Sequence, residues 1–428
     1  MSSTPSARPG AAPGASTTGN RWLILAGGIL VQLSIGAVYA WSVFSRAFQS
    51  ADSELSLTKV QAAIPFEVAI GMIFVGTFLG GRIQDRKGPR TVALVGVVIY
   101  GIGIILSSFA TSAGSLWLLI LGYGVLSGFG LGLAYIVPIA MLQKWFPDKA
   151  GLITGLAVGG FGFGAVITAP VANSLIHNDP AHPAAAFLPL GIAYLIAGVI
   201  GAVTFKNPPV GYSVAGAPAT NAKSTTVPQV QADFTQSQAL RTPQWYLLTA
   251  ILALSVTAGI SLISVASATA VDVAGFTTAG AAALVGALGL FNGAGRILWA
   301  GVSDKIGKMP SFVGILGIQG ICLVLIPHAH AAWMFVVLAA LIYTCYGGGF
   351  GTMPSTAGRF FGVSNAGGIY GLMLIAWSIG GVFGPLIVTG LLGKDLNYTL
   401  AFTVIGVISL VGALIPLVTK KPAAPVTV

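Results

Sequence analysis

Charged side chains are scarce in this 428-residue sequence: Asp, Glu, Lys and Arg make up 7% of it, whereas hydrophobic residues make up 55%. A soluble domain of this size needs more charge, because charged residues occupy much of the surface of soluble proteins. Apolar runs of about 20 residues recur instead, each long enough to cross a hydrocarbon layer of about 30 Å. The composition therefore indicates a membrane protein with many spanning helices.

Cysteine is almost absent as well. Cys322 and Cys345 each lie within an apolar run and have no partner at short spacing, so we expect neither a disulfide framework nor a metal site. We also expect no cofactor, and the lack of a nucleophile–base pair argues against an enzyme. The formal charge is +10, but the basic residues fall in short loops between apolar runs, which is typical of membrane topology and not of nucleic-acid binding.

The apolar runs number twelve, in two groups of six. The first 20 residues are rich in Pro, Gly, Ser, Thr and Ala and are predicted to be a disordered cytoplasmic tail. We predict a six-helix bundle over 21–205, a polar linker over 206–241, a second six-helix bundle over 242–419 and a tail over 420–428. The predicted spans lie near 22–46, 60–82, 91–110, 115–143, 151–176, 185–205, 243–270, 280–302, 311–327, 332–357, 367–392 and 399–418.

Loop charge predicts the orientation of these spans. If the amino terminus is cytoplasmic, most loop lysines and arginines fall on the cytoplasmic side, and the opposite side keeps only Arg46, Lys59 and Lys394. Cytoplasmic loops of membrane proteins carry such an excess of basic residues. We therefore predict a multi-pass protein of the cell (inner) membrane with both termini and the linker in the cytoplasm.

A short motif follows the second span of each half: GRIQDRKG at 81–88 and GVSDKIG at 301–307. Asp85 and Asp304 are 219 positions apart, and Pro138 and Pro354 are 216 apart. One six-helix unit used twice in the same orientation explains these spacings. An aspartate at a helix end can pair with neighbouring helix ends and hold a closed state, although a tight turn with basic loop residues explains a single copy. The candidate conformational residues are Gly81, Asp85, Arg86, Gly88, Gly301, Asp304, Lys305 and Gly307.

The duplicated motif within twelve spans resembles the signature loop of the major facilitator superfamily. In addition, KWFPDKAGLITGLAVGGFGFGA at 144–165 and LFNGAGRILWAGVSDKIG at 290–307 resemble spans five and eight of the monocarboxylate porter family and of its relatives, the oxalate–formate antiporters. The resemblance implies an all-α membrane protein built of two pseudo-symmetric six-helix bundles. It also implies transport of a small carboxylate by alternating access.

Arg296 interrupts the apolar stretch at 284–302. It lies eight residues from Asp304, about 12 Å into the membrane at a rise of about 1.5 Å per residue. A charge at such a depth costs about 3 kcal/mol or more, and arginine does not lose its proton. Its paired donors suit a carboxylate, and Asn292, one helical turn away, can orient it or contact the same substrate. An arginine that extends to the cytoplasmic interface is the alternative. The resemblance implies that this arginine binds the substrate.

Several aromatic residues are further candidates for the substrate site. Tyr135 lies nine residues before Lys144, at a depth comparable with that of Arg296, and the resemblance implies a substrate-contacting aromatic near it. Trp377 aligns with the position at which oxalate–formate antiporters carry a second cation, a lysine. With a single intramembrane cation, a monocarboxylate such as lactate or pyruvate fits better than oxalate. Tyrosines in membrane helices more often pack or lie at the interface, so the remaining tyrosines are weaker candidates: Tyr39, Tyr343, Tyr346 and Tyr370.

Two acids are candidates for proton coupling. Glu67 lies 18 residues from Asp85, about 27 Å from the cytoplasmic end of its helix, where a partly buried carboxyl can take up an external proton; a solvated helix end is the alternative. Asp272 lies at the outer end of span seven. We predict a monomeric secondary transporter that carries a lactate- or pyruvate-like monocarboxylate together with a proton. A carboxylate exchanger of the oxalate–formate type and a non-transporting carboxylate sensor are the alternatives.

Overall fold

The computed structural model describes residues 20–209, 212, 233–392 and 397–424. Within these ranges twelve helices are long and apolar enough to cross a membrane, which confirms the predicted all-α fold with twelve spans. Their bounds are α1 Arg21–Phe48, α2 Val60–Lys87, α3 Pro89–Ser107, α4 Ala113–Trp145, α5 Ala150–Asn178, α6 Pro183–Val203, α7 Pro243–Ala274, α8 Ala283–Ile306, α9 Lys308–His328, α10 Ala332–Phe361, α11 Ala366–Leu392 and α12 Tyr398–Val418.

The predicted linker contains one helix that the sequence did not indicate. Residues Gln236–Leu240 are helical, because Thr235 caps the first turn together with Gln238. Just before it, the Asp233 carboxylate accepts a hydrogen bond from the Ser364 backbone N–H at 3.2 Å. The end of the linker therefore docks on the turn between α10 and α11. The predicted tail over 1–20, except residue 20, and most of the linker lie outside the described residues.

The helices α2 and α8 run further than predicted, through the two motifs to Lys87 and Ile306. Asp85 and Asp304 consequently lie in the last helical turns and not in loops. Gly88 and Gly307 end the helices with φ angles of +88° and +97°, a region that glycine adopts without the steric cost of a Cβ. Each chain turn is therefore sharp, and the next helix begins within one or two residues.

The two bundles meet along α2–α11 and α5–α8, through glycines. A Cβ added to Gly81 would lie 2.0 Å from the carbonyl oxygen of Gly367, and one added to Gly162 would lie 2.7 Å from the Cα of Gly293. Glycine at such positions lets helix axes approach closely. These contacts begin at the face of the bundle that carries Asn20 and Thr419, which we call the terminal face. The terminal face is therefore closed.

Beyond Gly293, the residues on the same side of α8 no longer contact α5. Gly289 and Gly286 lie further along that side, toward the opposite face, and no described atom lies within 4 Å of a Cβ added to either. Val166, one turn beyond Gly162 on α5, is 37% exposed. The close contact between α5 and α8 therefore does not continue toward the opposite face.

On the opposite face, His182 joins the loop that follows α1 to the loop that precedes α6. Its Nδ1 lies 3.0 Å from Asp179 Oδ1, and its Nε2 lies 3.5 Å from Glu54 Oε2. The Glu54 backbone N–H also donates to the carbonyl of Ala181 at 3.0 Å. The hydrogen bond to Asp179 is the main cause that raises the pKa of His182, and the negative charges of Asp179 and Glu54 raise it further.

This cluster predicts a pH-dependent contribution to stability. Because the folded-state pKa of His182 is raised, the protonated form stabilises the folded protein below the usual histidine pKa of about 6.5, and the effect fades as the pH rises through the raised pKa. We expect His182→Gln to lower the thermal unfolding midpoint at pH 6 and to leave it unchanged at pH 9. As a control, His328→Gln should show no such difference, because the described residues offer His328 no carboxylate partner. An equal loss at both pH values would contradict the ionic account.

Candidate functional site

Arg296 is completely buried, with 0% of its surface exposed, so it does not extend to the membrane interface. Its Nε donates to Asn292 Oδ1 at 3.3 Å, one Nη donates to the Tyr39 hydroxyl at 3.4 Å and the other to the Val158 carbonyl at 3.5 Å. All three acceptors are neutral, and the distances are long for hydrogen bonds of a charged donor. Among the described residues no carboxylate lies within ion-pair distance of Arg296.

Two phenyl rings flank the guanidinium, and sequence reasoning missed both. The Arg296 Cζ lies 5.4 Å from the ring centroid of Phe161 and 5.2 Å from that of Phe350. Cation–π attraction partly offsets the loss of hydration of the buried charge. One signal was available for Phe161, since it lies 216 positions before Trp377, the shift that relates Pro138 to Pro354. Phe350 lies between Gly349 and Gly351, a backbone pattern that permits close approach but does not by itself predict a site.

Aromatic rings pack closely together around Arg296. The indole of Trp377 lies 5.0 Å from Phe350, 5.8 Å from Tyr135, 5.9 Å from Phe161 and 6.5 Å from Tyr39, measured between ring centroids. Tyr39 and Tyr135 come from the first bundle, and Phe350 and Trp377 come from the second. The site is therefore built at the contact between the two halves. Four of the predicted substrate-site tyrosines interact electrostatically with Arg296: Tyr39, Tyr135, Tyr346 and Tyr370. Tyr343, a fifth candidate, is buried without such an interaction.

Three buried polar atoms of the predicted substrate-site residues form no hydrogen bond within 3.5 Å among the described residues: the hydroxyls of Tyr135 and Tyr370 and the Nε1 of Trp377. The Tyr135 hydroxyl interacts with the Arg296 guanidinium at a longer distance. Buried polar atoms are normally satisfied, because an unpaired one costs free energy comparable with a lost hydrogen bond. Together with Arg296 they supply one positive charge and several donors inside an aromatic wall. This combination suits a small anion with one apolar side.

The two acids proposed for proton coupling lie apart from Arg296. Glu67 is exposed on α2 and forms no ion pair within the described chain. Asp272 is exposed at the end of α7, where its Oδ2 accepts a hydrogen bond from the hydroxyl of Tyr398. The described residues include no group of three or more His, Cys, Asp or Glu side chains that could hold a metal ion.

The motif aspartates pair across the two halves. The Oδ2 of Asp85, at the end of α2, accepts from the backbone N–H of Gly368 in the first turn of α11 at 2.7 Å. The Oδ2 of Asp304, at the end of α8, accepts from the backbone N–H of Leu152 in the first turn of α5 at 2.9 Å. A carboxylate at a helix amino terminus is favourable, because the free N–H groups and the helix dipole attract negative charge.

In the second copy of the motif, two basic side chains also form ion pairs with the aspartate. Lys308 Nζ lies 2.8 Å from Asp304 Oδ1, and Arg359 lies 3.5 Å from the same oxygen. Arg86 and Lys305, the basic residues that follow the aspartates, are exposed and do not take part. Both aspartates thus contact the other bundle on the terminal face, in the conformation in which that face is closed.

A duplicated bundle with crosswise motif contacts is the architecture of a known transporter group, and comparison with known proteins agrees. Residues 22–385 match the family described as Major Facilitator Superfamily. The chain belongs to this superfamily. A crystal structure of the superfamily transporter FucP in the outward conformation superimposes with a TM-score of 0.70 at 16% identity, over 94% of this chain and 99% of that one, which confirms the fold.

Two relatives within the superfamily match over most of their length. The oxalate:formate antiporter of Oxalobacter formigenes is 28% identical over 374 residues, which cover 86% of this chain and 84% of that protein. Apicoplast pyruvate carrier 1 of Toxoplasma gondii is 27% identical over 481 residues, which cover 88% of this chain and 85% of that protein. The resemblance inferred from the sequence is therefore confirmed, and the protein is a multi-pass membrane transporter of the major facilitator superfamily.

Proposed function

We propose that this protein is a secondary transporter that carries a small monocarboxylate of the lactate or pyruvate class, together with a proton, across the cell membrane. The observation that carries the proposal is the fully buried Arg296, which has no carboxylate partner among the described residues and lies near donors that form no hydrogen bond with them. A buried charge is costly unless an opposite charge pairs with it. A substrate carboxylate that accepts two parallel hydrogen bonds from the guanidinium supplies that charge.

Charge balance favours one carboxylate over two. The described residues contain two buried cations, Arg296 and Lys308, and Lys308 already pairs with Asp304. A dicarboxylate at the site would therefore bring one negative charge more than the site can neutralise. Trp377 packs against Tyr135 and Phe350 and presents an apolar ring near Arg296. Such a ring suits the short carbon chain of pyruvate or lactate. The similarity to a pyruvate carrier supports the same substrate class.

The contacts between the halves support a mechanism of alternating access. We take the terminal face to be cytoplasmic because it carries the basic loops, so the present conformation is closed toward the cytoplasm. Opening of this face would then require the Asp85–Gly368 and Asp304–Leu152 contacts to break. Neutralisation of Arg296 by the substrate, with a proton carried by Glu67 or Asp272 or bound together with the substrate, lowers the cost of moving the loaded site between the two states.

The second candidate function is carboxylate exchange, which the 28% identity to the oxalate:formate antiporter favours. Uptake of radiolabelled pyruvate and lactate into proteoliposomes separates the two functions. The symport proposal predicts that an inward proton gradient accelerates uptake into empty vesicles and raises its peak level. Uptake that ignores the gradient and requires carboxylate inside the vesicle would establish the exchanger instead.

A further inference from the structure

Tyr39, which contacts Arg296, lies on an irregular part of α1. The α-helical segment Arg21–Ile35 gives way to a 3₁₀ segment at Gly36–Ala40, and the helix resumes at Trp41–Phe48. A 3₁₀ stretch inside a longer helix often marks a functional hinge. A Cβ added to Gly36 would lie 2.1 Å from the carbonyl oxygen of Phe161, so the irregular segment packs directly on the part of α5 that flanks Arg296.

A second irregular helical segment, in α4, contacts the 3₁₀ segment of α1. Within α4, Ile120–Ser127 form a π-helix. This conformation is rare in proteins overall, but where it occurs it often lies at a functional site. Tyr123 in this segment is 3% exposed, and its hydroxyl donates a hydrogen bond to the carbonyl of Val38 at 3.2 Å. The Ser127 hydroxyl in turn donates to the carbonyl of Tyr123. The π-helix thereby holds the phenol of Tyr123 against the residue that precedes Tyr39.

The outer part of α1 is anchored to its neighbours by aromatic contacts. The ring of Trp41 lies 4.2 Å from that of Tyr123, and its Nε1 donates to the carbonyl of Ala62 in α2 at 3.0 Å. Phe44 stacks on Phe187 of α6 at 4.1 Å. Trp41–Phe48 therefore belongs to a packed outer unit, and the 3₁₀ segment joins this unit to the inner part of α1.

We propose that Tyr123 is a positioning residue for Tyr39. Its hydrogen bond to Val38 fixes the 3₁₀ segment and so places the Tyr39 hydroxyl within reach of the Arg296 guanidinium. Movement of the outer unit is transmitted to the binding site through the same bond. The effect on substrate affinity rests on the proposed function, whereas the effect on the 3₁₀ segment does not.

Hydrogen exchange tests the structural half of this proposal without any substrate. Tyr123→Phe removes only the hydroxyl, and we expect amides of a peptide that covers residues 36–41 to exchange roughly two- to tenfold faster, the range expected for loss of one neutral hydrogen bond. Tyr194→Phe is the matched control, because its hydroxyl donates to Thr168 Oγ1 at 3.0 Å in the same bundle. Exchange at 36–41 that is the same in Tyr123→Phe and in wild type would overturn the proposal.

Pyruvate uptake tests the functional half through a double-mutant cycle. Tyr39→Phe and Tyr123→Phe should each raise KM roughly two- to tenfold with little change in the maximal rate, and the double variant should resemble Tyr39→Phe alone. Additive effects would show that Tyr123 does not act through Tyr39 and would overturn the proposal. If pyruvate proves not to be a substrate, the proposed function fails, but the exchange measurement still decides whether Tyr123 fixes the segment.

Discussion

Arg296→Gln is expected to reduce pyruvate and lactate uptake by roughly 30-fold to more than 1,000-fold. Truncating one partner of a buried, hydrogen-bonded charge pair costs about 2–5 kcal/mol of binding, and each 1.4 kcal/mol corresponds to a factor of about ten. The same substitution should leave the substrate-free protein as stable as wild type or more stable. In the part of the chain that the structure describes, no carboxylate pairs with Arg296, so its removal relieves the cost of a buried charge. Vesicle uptake and thermal unfolding measure the two effects.

Two further variants separate a binding role from a general effect of charge. Arg296→Lys keeps the charge but loses the paired planar donors, so we expect a partial loss of uptake. Arg241→Gln changes an exposed arginine between the short linker helix and α7 and should transport like wild type. Retained uptake with unchanged affinity in Arg296→Gln would show that the arginine does not bind the substrate. Loss of uptake accompanied by a large fall in stability would point to a structural role.

Gly81→Val is expected to reduce transport by at least about tenfold, because it prevents closure of the terminal face. The added side chain would meet the carbonyl oxygen of Gly367, which lies 2.0 Å from an ideal Cβ. Backbone atoms cannot move aside as a flexible side chain can, so α2 and α11 must separate at this end. In proteoliposomes, uptake should fall, and a single cysteine placed at the α2–α11 contact should become more reactive to a water-soluble thiol reagent.

Gly71→Val provides the matched control on the same helix. Nothing lies within 4 Å of a Cβ at Gly71, so this variant adds the same volume to α2 without a clash. We expect wild-type transport and wild-type reactivity of the reporter cysteine. Equal losses in the two variants would mean that valine perturbs α2 itself, and normal transport by Gly81→Val would mean that the α2–α11 contact does not have to form during the cycle.

The sequence predicted the spans and the composition of the site because both depend on simple quantities. Apolar run length is set by the thickness of the membrane, and helix rise converts sequence distance into depth. Counting from Asp304 and from Lys144 therefore placed Arg296 and Tyr135 at one level, and the two interact in the structure. The same count placed Glu67 about 27 Å and Arg296 about 12 Å from the cytoplasmic ends of their helices, and no ion pair joins the two in the structure.

Other features of the site could not be predicted. Phe161 and Phe350 are apolar residues in apolar helices. Hydropathy therefore does not distinguish a phenyl ring that packs against the Arg296 guanidinium from one that faces lipid. Neither the 3₁₀ segment of α1 nor the π-helix in α4 contains proline, so both lack the clearest sequence signal of an irregular helix. The sequence prediction ended α2 and α8 too early, because it assigned the charged motif to a loop. In the structure each helix continues through the motif and ends where Gly88 and Gly307 adopt positive φ angles.

Equilibrium binding to the purified protein tests the central claim, that Arg296 binds the single carboxylate of the substrate. Calorimetric titration should compare pyruvate with its uncharged analogue pyruvamide, on wild type and on Arg296→Gln. Because the guanidinium pairs with the carboxylate, we predict that pyruvate binds to wild type, that pyruvamide binds at least about 30-fold more weakly, and that Arg296→Gln no longer distinguishes the two. Equal affinity of wild type for pyruvate and pyruvamide, or undiminished pyruvate binding by Arg296→Gln, would contradict the account.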